Sequence, residues 1–529
     1  MPVSRYVTLK PVEHNQTLFA VGAPMALSDE YAAPLLTAGA IQAQVGALPE
    51  MPDVPGDVIR EAKSGATGEE FGNSKFGFGA HYRPSGFDWP EWLPNISAYH
   101  HCNRYYCSHR PEDLIDPDRF TQTMYVDCST SGGGLDANSG ATWANRKSSI
   151  GNAARVASAS GIPTRILAYA KGGEINYARF KSLLDDSTDR NSAVPIIIEA
   201  MEGRVRTGNY DVLTFAKTAA YTYVYETTRT NPYRSTNPAH IDIAHANLYA
   251  EYSYVSGADL AASLALVDAT EGSWYFDSAT GKNYFHPHGH EAATNNNVRI
   301  YLAAGGFNWS CNQDLFVRGF DIEGGQQGNA RINNGSTNIV VFDDCTMRYS
   351  AQSNLSTGGT AVIDSAQVLG VGLFAAFNCR FDMATKDGVN LHAQAAVIPS
   401  GLLVGCSAFK NGKAPSESNN GFTCHDGVKA ISIGCNWTGN RGTNSGHVSD
   451  GTQVWSVGDT AGATAGDVIT GGGITYGGFG VWSGAAKIWL DSCRDVGCEI
   501  GVYGGTGGAR AYTRNHKGTG KRVGNVVAY

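Results

Sequence analysis

Three glycine-led segments in the second half of the chain hold the residues best suited to chemistry. They read "GVNLH" (388–392), "GFTCHDG" (421–427) and "GHVSD" (446–450), and each alternates apolar and polar residues as a strand does. An imidazole with an unperturbed pKa near 6.5 can exchange protons at neutral pH, and a neighbouring carboxylate can fix its tautomer. His425 beside Asp426 is therefore the starting point for a site.

Aligning the segments on their glycines places successive side chains in columns. Strand alternation directs the first and third residues after glycine inward and the second and fourth outward. We predict that the fourth-position column, His392, His425 and Asp450, lines one outward groove and carries any proton transfer. Asp450 is the expected partner of His425 and should raise its pKa.

The predicted substrate-binding residues surround this column. They are second-position residues and two aspartates of the adjoining turns: Asn390, Thr423, Trp482, Tyr503, Asp387 and Asp426. Amides and hydroxyls pair with sugar hydroxyls, and aromatic rings stack on sugar faces. The alternative is a polar ladder on a solvated face, because a register error of one residue reverses every side chain.

A second repeated column carries cysteines near the ends of apolar segments. It comprises Cys345, Cys379, Cys406, Cys435 and Cys493, with Asp459 in the same slot of "VWSVGDT". Strands that recur every 21–34 residues favour a solenoid of stacked coils. We predict buried, reduced thiols, and an inward direction for the residues four positions earlier: Val341, Ala375, Leu402, Ile431, Trp455 and Trp489.

The composition favours strands and excludes two classes of partner. The 529 residues include 65 glycines and only 17% charged residues, which is typical of short strands joined by tight turns. With a net charge of −8 and no Lys/Arg cluster, no nucleic-acid partner is expected. No apolar run approaches about 18 residues, so no membrane insertion is expected. The first residues lack the apolar core of a signal peptide, which predicts folding in reducing cytoplasm.

Metal-type ligands occur in the motif "YHHCNRYYCSHR" (99–110). The candidates are His100, His101, Cys102, Cys107 and His109. Their spacing matches no standard zinc finger, and the aromatic neighbours favour packing. We therefore predict no metal and no cofactor. Glycoside hydrolysis would need two carboxyl groups on one surface, and further candidates by type are Asp321, Glu323, Asp343 and Asp344.

The repeated segments resemble the right-handed parallel β-helix proteins of the pectate-lyase-like class, and most of all bacteriophage tailspikes. "MYVDCSTSGGGLDANSGATWANRKSSIGNAARVA" (124–157) is similar to the strand, loop and Trp-led helix that cap such coils, and "GSWYFDSATGKNYFHPHG" (272–289) is similar to their hairpin insertion. The resemblance implies an all-β, right-handed parallel β-helix (a solenoid) with a small mixed N-terminal attachment region.

The resemblance also implies a domain order and a function. The expected domains are a virion-attachment module (1–50, with a helix from Ser28 to Gly39), a neck or linker (51–120), the β-helix (121–515) and its C-terminal end (516–529). The expected function is that of a phage-type virion spike, a homotrimer assembled in the host cytoplasm, whose residues 1–50 contact other virion proteins. Its receptor would be a bacterial surface polysaccharide. The alternatives are a polysaccharide depolymerase, either a glycoside hydrolase or a lyase, and a purely structural virion protein.

Overall fold

The structure is a computed structural model of two compact units, Met1–Asn73 and Ser74–Tyr529. It describes residues 3–8, 12–14, 17–19, 24–28, 41–43, 79–101, 104–129, 132–170, 191–208, 213–228, 239–241, 249–295, 297–298, 307–324, 328–350, 364–384, 386–394, 397–412, 419–462 and 477–529.

The first unit contains short antiparallel strands. Val3–Thr8 pairs with Pro24–Ser28 on one side and Ile41–Ala43 on the other, and Val12–His14 pairs with Thr17–Phe19. The helix predicted from Ser28 to Gly39 lies outside the described residues. Virion attachment by this unit stays a prediction.

The second unit is the predicted right-handed parallel β-helix, built from three sheets of parallel strands. Sheet 1 contains Phe307–Trp309, Val389–His392, Phe422–Cys424, Ser445–His447, Gly477–Val481, Ile500–Gly504 and Lys521–Gly524. Sheet 2 contains Gln122–Asp127, Thr164–Tyr169, Ile196–Ala200, Leu315–Arg318, Ser400–Val404, Lys429–Ile433, Gln453–Val457, Lys487–Asp491, Arg510–Arg514 and Val526–Ala528. Sheet 3 contains Val205–Gly208, Phe320–Glu323, Thr346–Arg348, Arg380–Asp382, Ser407–Phe409, Asn436–Thr438, Thr460–Gly462, Arg494–Val496 and Lys517–Gly518.

Two long strands join sheet 1 to sheet 2. Ala330–Asp343 and Ala366–Phe377 run through both sheets and carry Gly335 and Gly370 at φ values of 60° and 62° within their lengths. Outside the register shifts between Asn333 and Ile339, parallel neighbours pair residue by residue, so each coil repeats the side-chain directions of the one before. Equivalent side chains therefore stack into columns along the solenoid.

The cysteine column lies in the core, as predicted. Cys345, Cys379, Cys406, Cys435 and Cys493 are buried and form no disulfide. Asp459 fills the remaining slot and is also buried; its Oδ1 accepts a hydrogen bond from the Cys435 amide at 2.8 Å. Burial raises the pKa of Asp459 to about 6. The predicted inward residues of sheet 1 are in the same core: Val389, Leu391, Phe422, Cys424, Val481 and Val502.

The residues four positions before each cysteine slot face outward, so their predicted inward direction was wrong. A residue with φ between 48° and 66° precedes every slot: Asp344, Asn378, Gly405, Gly434, Gly458 and Ser492. Such a left-handed residue turns the chain from sheet 2 into sheet 3 and interrupts strand alternation. Counting by twos across that turn reversed the assignment of Val341, Ala375, Leu402, Ile431, Trp455 and Trp489.

These outward residues are nevertheless buried, because the segment before the β-helix covers them. We call residues 79–101 and 104–120 the cover segment. Its apolar residues, Phe87, Trp89, Leu93, Ile96, Ala98, Leu114, Ile115 and Phe120, form one cluster with the outer face of sheet 2. Asp88 and Gln453 exchange two hydrogen bonds of 2.7 Å. The cover segment therefore belongs to the β-helix unit.

The remaining elements cap or decorate the solenoid. The helix Ile150–Ser160 buries its apolar side against the first strands; it is capped by Ser149, while Trp143–Asn145 is a separate 3₁₀ turn. The predicted hairpin forms between Ser273–Asp277 and Lys282–His286. Other elements are Gly79–His81, Ala98–His101, Arg104–Cys107, Pro111–Leu114, Pro117–Arg119, Ala216–Lys217, Tyr225–Thr228, Ala239–Ile241, Tyr249–Glu251, Ser253–Tyr254, Leu260–Ala269 and His288–His290. Within the described ranges, every helix is too short or too polar to cross a bilayer.

Candidate functional site

The imidazoles of His392 and His425 stack on neighbouring coils of sheet 1. Val389 pairs with Phe422 and Asn390 with Thr423, which brings the two histidines side by side at the strand ends. Their ring centroids are 4.0 Å apart and the planes differ by 11°. This stack is the centre of the candidate site.

The carboxylate beside the stack belongs to Asp426. His392 Nδ1 lies 3.4 Å from Asp426 Oδ2, and the Ser449 hydroxyl lies 3.4 Å from Asp426 Oδ1. The Asp426 side chain is 48% exposed and that of His392 is 26% exposed. Asp426 is therefore the solvent-exposed carboxylate next to the two imidazoles.

Asp450 does not join the histidines, because the third segment is shifted against the predicted alignment. Gly446 pairs with Thr423 and His447 with Cys424, so Val448 occupies the position beside His425. Asp450 instead accepts a 2.6 Å hydrogen bond from the Ala485 amide. His447 faces the core, where its ring meets Phe422 edge-on and its Nε2 lies 3.0 Å from the Ser445 hydroxyl.

Both stacked imidazoles are uncharged at neutral pH. Burial, with the neighbouring His392 ring as second cause, lowers the pKa of His425 to about 3. Burial also lowers the pKa of His392 and outweighs the opposing effect of Asp426. A neighbouring carboxylate does act to raise the pKa of His425, as predicted, but it belongs to Asp426 and not to Asp450, and burial outweighs it. A neutral imidazole donates one hydrogen bond and accepts another, and so matches a hydroxyl group.

Beside the imidazoles, two residues earlier on the same strands, lies a buried network of carboxyl and amide groups. The Asn390 side-chain nitrogen is 3.1 Å from Asp364 Oδ2 and 3.1 Å from Asp387 Oδ2. Asp387 Oδ1 accepts a 2.6 Å bond from the Asn420 amide, and the Asn420 side chain donates to the Thr423 hydroxyl at 3.0 Å. Asn390, Thr423 and Asp387 are each no more than 1% exposed, so these three predicted binding residues are covered and not open to a ligand.

Asp364 is a member of this network that the sequence analysis missed. Burial and the nearby Asp387 raise the pKa of Asp364 to about 7. The signal was present in the sequence, since Asp364 stands two residues before its strand, as Asp387 does before Val389–His392. Asp364 therefore retains its proton close to neutral pH, beside the Asp387 carboxyl group with which it shares the Asn390 donor.

Two aromatic rings continue the outward columns. Trp482 lies in the same column as His425 and Val448. Tyr503, on the next coil, lies in the neighbouring column, which contains Gly446 and Gly480. The rings of Trp482 and Tyr503 are 5.1 Å apart at an angle of 40°. A Cβ at Gly446 would come within 3.1 Å of Trp482 Nε1, so the indole lies over a glycine. We call the partly exposed series His392, His425, Val448, Trp482 and Tyr503 the outer stripe.

The other acidic candidates form ion pairs outside the stripe. Arg204 reaches Asp321 at 2.8 Å and Asp344 at 2.6 Å, while Arg318 reaches Asp343 at 2.7 Å. Glu323 lies 3.2 Å from Arg206. Guanidinium groups that satisfy these carboxylates on adjacent coils favour a structural role.

The His/Cys motif near residue 100 forms a hairpin. Ala98–His101 pairs with Arg104–Cys107, and His100 Nδ1 lies 3.0 Å from His81 Nε2. His81 Nδ1 in turn lies 3.0 Å from Asp491 Oδ2, which ties the cover segment to a late coil. Cys102 and the His101 side chain lie outside the described residues. In the part of the chain that the structure describes, no three His, Cys, Asp or Glu side chains group as metal ligands.

Comparisons with known proteins identify no family for this chain. No family profile matches the sequence, and no curated protein sequence matches it. A solved glycoside hydrolase is 9% identical, covering 77% of this chain and 96% of its own, with a TM-score of 0.40. XylC, solved with xylose, is 12% identical over 77% and 65%, with a TM-score of 0.36. The pectate lyase Pel9A is 10% identical over 77% and 78%, with a TM-score of 0.32.

The chain spans about two thirds of the length of XylC. At these identities and TM-scores the likeness carries no argument about substrate or reaction. The class that the fold and the site define is a parallel β-helix with a polar and aromatic stripe on one sheet. A function for it has to be argued from that stripe.

Proposed function

We propose that the chain is a phage-type virion spike whose β-helix binds a bacterial surface polysaccharide along the outer stripe. The observation that carries the proposal is the order of side chains on five successive coils: two neutral imidazoles, a valine and two aromatic rings. With coils about 4.8 Å apart, the stripe is about 19 Å long. That length suits several units of an extended glycan chain.

The chemistry of the stripe suits uncharged sugar rings. Neutral His392 can exchange hydrogen bonds with hydroxyls, and Asp426 adds a solvent-exposed acceptor. The Nε2 atom of His425 is buried, so this ring contributes mainly as the stacking partner of His392. Trp482 and Tyr503 offer ring faces for the apolar side of a sugar. Fixed by the sheet register, these groups lose little side-chain entropy on binding.

A depolymerase is the second candidate, and the Asp364–Asp387 pair favours it. Hydrolysis of a glycosidic bond uses one protonated and one ionised carboxyl group. Asp364, with a pKa of about 7, retains its proton near neutrality, while Asp387 accepts hydrogen bonds from two nitrogens. Both residues are at most 1% exposed, so a substrate could reach them only if the residues that cover them moved away. We therefore place binding first.

The remaining parts of the proposal concern assembly. Residues 1–50 attach to other virion proteins, and the spike is a homotrimer assembled in the host cytoplasm. These statements derive from the resemblance to tailspikes. The charge and the hydropathy of the sequence are the basis for expecting neither nucleic acid nor membrane insertion. Light scattering of the intact chain would test the trimer, and a particle mass equal to one chain would contradict it.

Incubation with a panel of capsular polysaccharides and lipopolysaccharides tests the function. Retention of one glycan without shortening supports the binding spike. Release of oligosaccharides supports the depolymerase, and new 4,5-unsaturated ends absorbing in the ultraviolet would identify a lyase in place of a hydrolase. Failure to retain any glycan of the panel would favour the purely structural virion protein.

A further inference from the structure

A concave surface lies away from the outer stripe, between the cover segment and the turns that join sheets 2 and 3. We call it the turn-edge groove. Its volume is about 1320 Å³. Its floor is made by the left-handed turn residues of six successive coils: Asn378, Gly405, Gly434, Gly458, Ser492 and Asn515. Six coils at about 4.8 Å give a groove about 24 Å long.

The opposite wall is the part of the cover segment from Arg104 to Pro111. Tyr105 rests on the floor so closely that a Cβ at Gly458 would overlap its ring. Glycine is therefore required at Gly458 both by its φ of 66° and by this contact. The wall is thus seated against the coils, and the groove is a formed feature of the unit.

The charge of the groove is opposite to that of the chain. Four cations line it, Arg104, Arg110, Arg494 and Lys517, and no Asp or Glu is among the residues that line it. The whole chain carries a net charge of −8. Within the described residues, Arg104, Arg494 and Lys517 have no carboxylate at ion-pair distance, and Arg110 is 4.0 Å from Asp113 at the rim. Cations gathered without counter-ions attract an anionic ligand.

The uncharged groups of the groove indicate the kind of anion. Amide and hydroxyl groups are distributed along it, from Asn378, Asn436, Thr460, Ser492 and Asn515. Such groups recognise sugar hydroxyls. A nucleic acid would call for several aromatic faces free to stack with successive bases. The Tyr105 ring is packed on the glycine floor, which leaves Tyr106 as the exposed tyrosine of the lining.

We propose that the turn-edge groove binds an acidic oligosaccharide through Arg104, Arg110, Arg494 and Lys517, independently of the outer stripe. The anionic groups are uronate carboxylates or sulfate esters, each of which accepts charge-assisted hydrogen bonds from guanidinium and ammonium groups. The ligand chemistry thus differs from that of the stripe, whose imidazoles are neutral. The groove needs no cleavage chemistry and no metal.

The test is equilibrium binding of fluorescent oligogalacturonate and dextran sulfate to the full chain at low and high salt. Arg494→Ala/Lys517→Ala should weaken binding at least about tenfold, as expected for lost charge-assisted hydrogen bonds. Arg510→Ala/Lys521→Ala removes two exposed cations outside the groove and should leave the affinity unchanged. Added salt should weaken binding. Circular dichroism of both variants establishes that they are folded.

Three arms separate this proposal from the others. Methyl-esterified oligogalacturonate, which lacks the charge, should bind at least about tenfold more weakly than the acid form. Trp482→Ala should leave binding of the acidic probes intact. The proposal is overturned if neither acidic probe binds, if the ester binds equally well, if only Trp482→Ala loses affinity, or if single-stranded oligothymidine binds more tightly than both sugars.

Discussion

His392 and His425 lie on adjacent coils with their rings parallel and 4.0 Å apart. Two imidazolium ions could not remain at this distance, so the stack is stable only while at least one ring is neutral. The parallel register of Val389–His392 and Phe422–Cys424 fixes the stack, and the solvent-exposed Asp426 bounds it on one side. The packing of sheet 1 therefore sets the positions of the two imidazole rings in the outer stripe.

Acidification should destabilise the protein through His425. Its pKa is near 6.5 when unfolded and about 3 when folded. The unfolded chain therefore takes up a proton first, and stability is lost as the pH falls from about 6.5 toward 3. His425→Phe keeps a stacking ring without a titratable group. Between pH 7.5 and 5, urea titrations should show a smaller loss of unfolding free energy in this variant. An equal loss in parent and variant would contradict the lowered pKa.

The Asp364–Asp387 pair should have the opposite pH dependence. The pKa of Asp364 is raised to about 7 in the folded state, so its contribution to stability is complete below about pH 3.8 and is lost as the pH rises through 7. Asp364→Asn removes this titration at the cost of a constant change in hydrogen bonding. As the pH rises from 5 to 8, the unfolding free energy of the variant minus that of the parent should increase. Asp426→Asn, at an exposed carboxyl group, is the control. If the difference between Asp364→Asn and the parent does not change with pH, the raised pKa of Asp364 is refuted.

The thiols of the cysteine column should be reduced and tightly packed. Cys379→Ala, Cys406→Ala and Cys435→Ala each leave a small cavity and should lower the unfolding free energy by about 1 kcal/mol. Cys311, which is only partly buried, provides a control whose replacement by alanine should cost less. Mass spectrometry without reductant should find free thiols at all three positions. A disulfide between any two of them would contradict the observed side-chain directions.

The cover segment should be indispensable to the β-helix. A chain beginning at Ser74 keeps the whole second unit, whereas one beginning at Thr121 exposes Phe316, Val341, Trp455 and Trp489 on sheet 2. Each large apolar side chain returned to water costs roughly 1.5–3 kcal/mol. The shorter chain should therefore aggregate or melt at a much lower temperature in calorimetry. Equal melting temperatures would show that residues 79–120 are a dispensable linker, as the sequence had suggested.

The sequence was informative wherever the repeat was strict. Equal spacing after Gly388 and Gly421 gave the correct pairing of Asn390 with Thr423 and the adjacency of His392 and His425. In the next coil, Gly446 lies inside the strand Ser445–His447 and pairs with Thr423, whereas Gly421 precedes its strand. Alignment on glycine therefore shifted the register by two residues and placed Asp450 where Val448 stands. A glycine can occur within a strand as well as in a turn, so it does not fix the register.

Other features depend on tertiary contacts that no local pattern contains. Val341 and Trp455 are apolar whether they face the core or the cover segment, so composition could not distinguish the two sides. The αL conformation at Asn378 and Ser492 was equally hidden, because neither residue requires it. The lowered pKa of His425 follows from its burial in the folded structure, and burial of a polar residue cannot be recognised from the sequence alone.

The central claim is that the outer stripe binds a bacterial surface polysaccharide, and Trp482→Ala tests it most directly. The measurement is the equilibrium dissociation constant, by calorimetry, for the glycan that the polysaccharide panel identifies. Trp92→Ala is the matched control, since Trp92 is 54% exposed in the cover segment away from the stripe. Loss of the stacking ring should weaken binding about tenfold in Trp482→Ala and leave Trp92→Ala unchanged. Parental affinity in a folded Trp482→Ala protein would contradict the account.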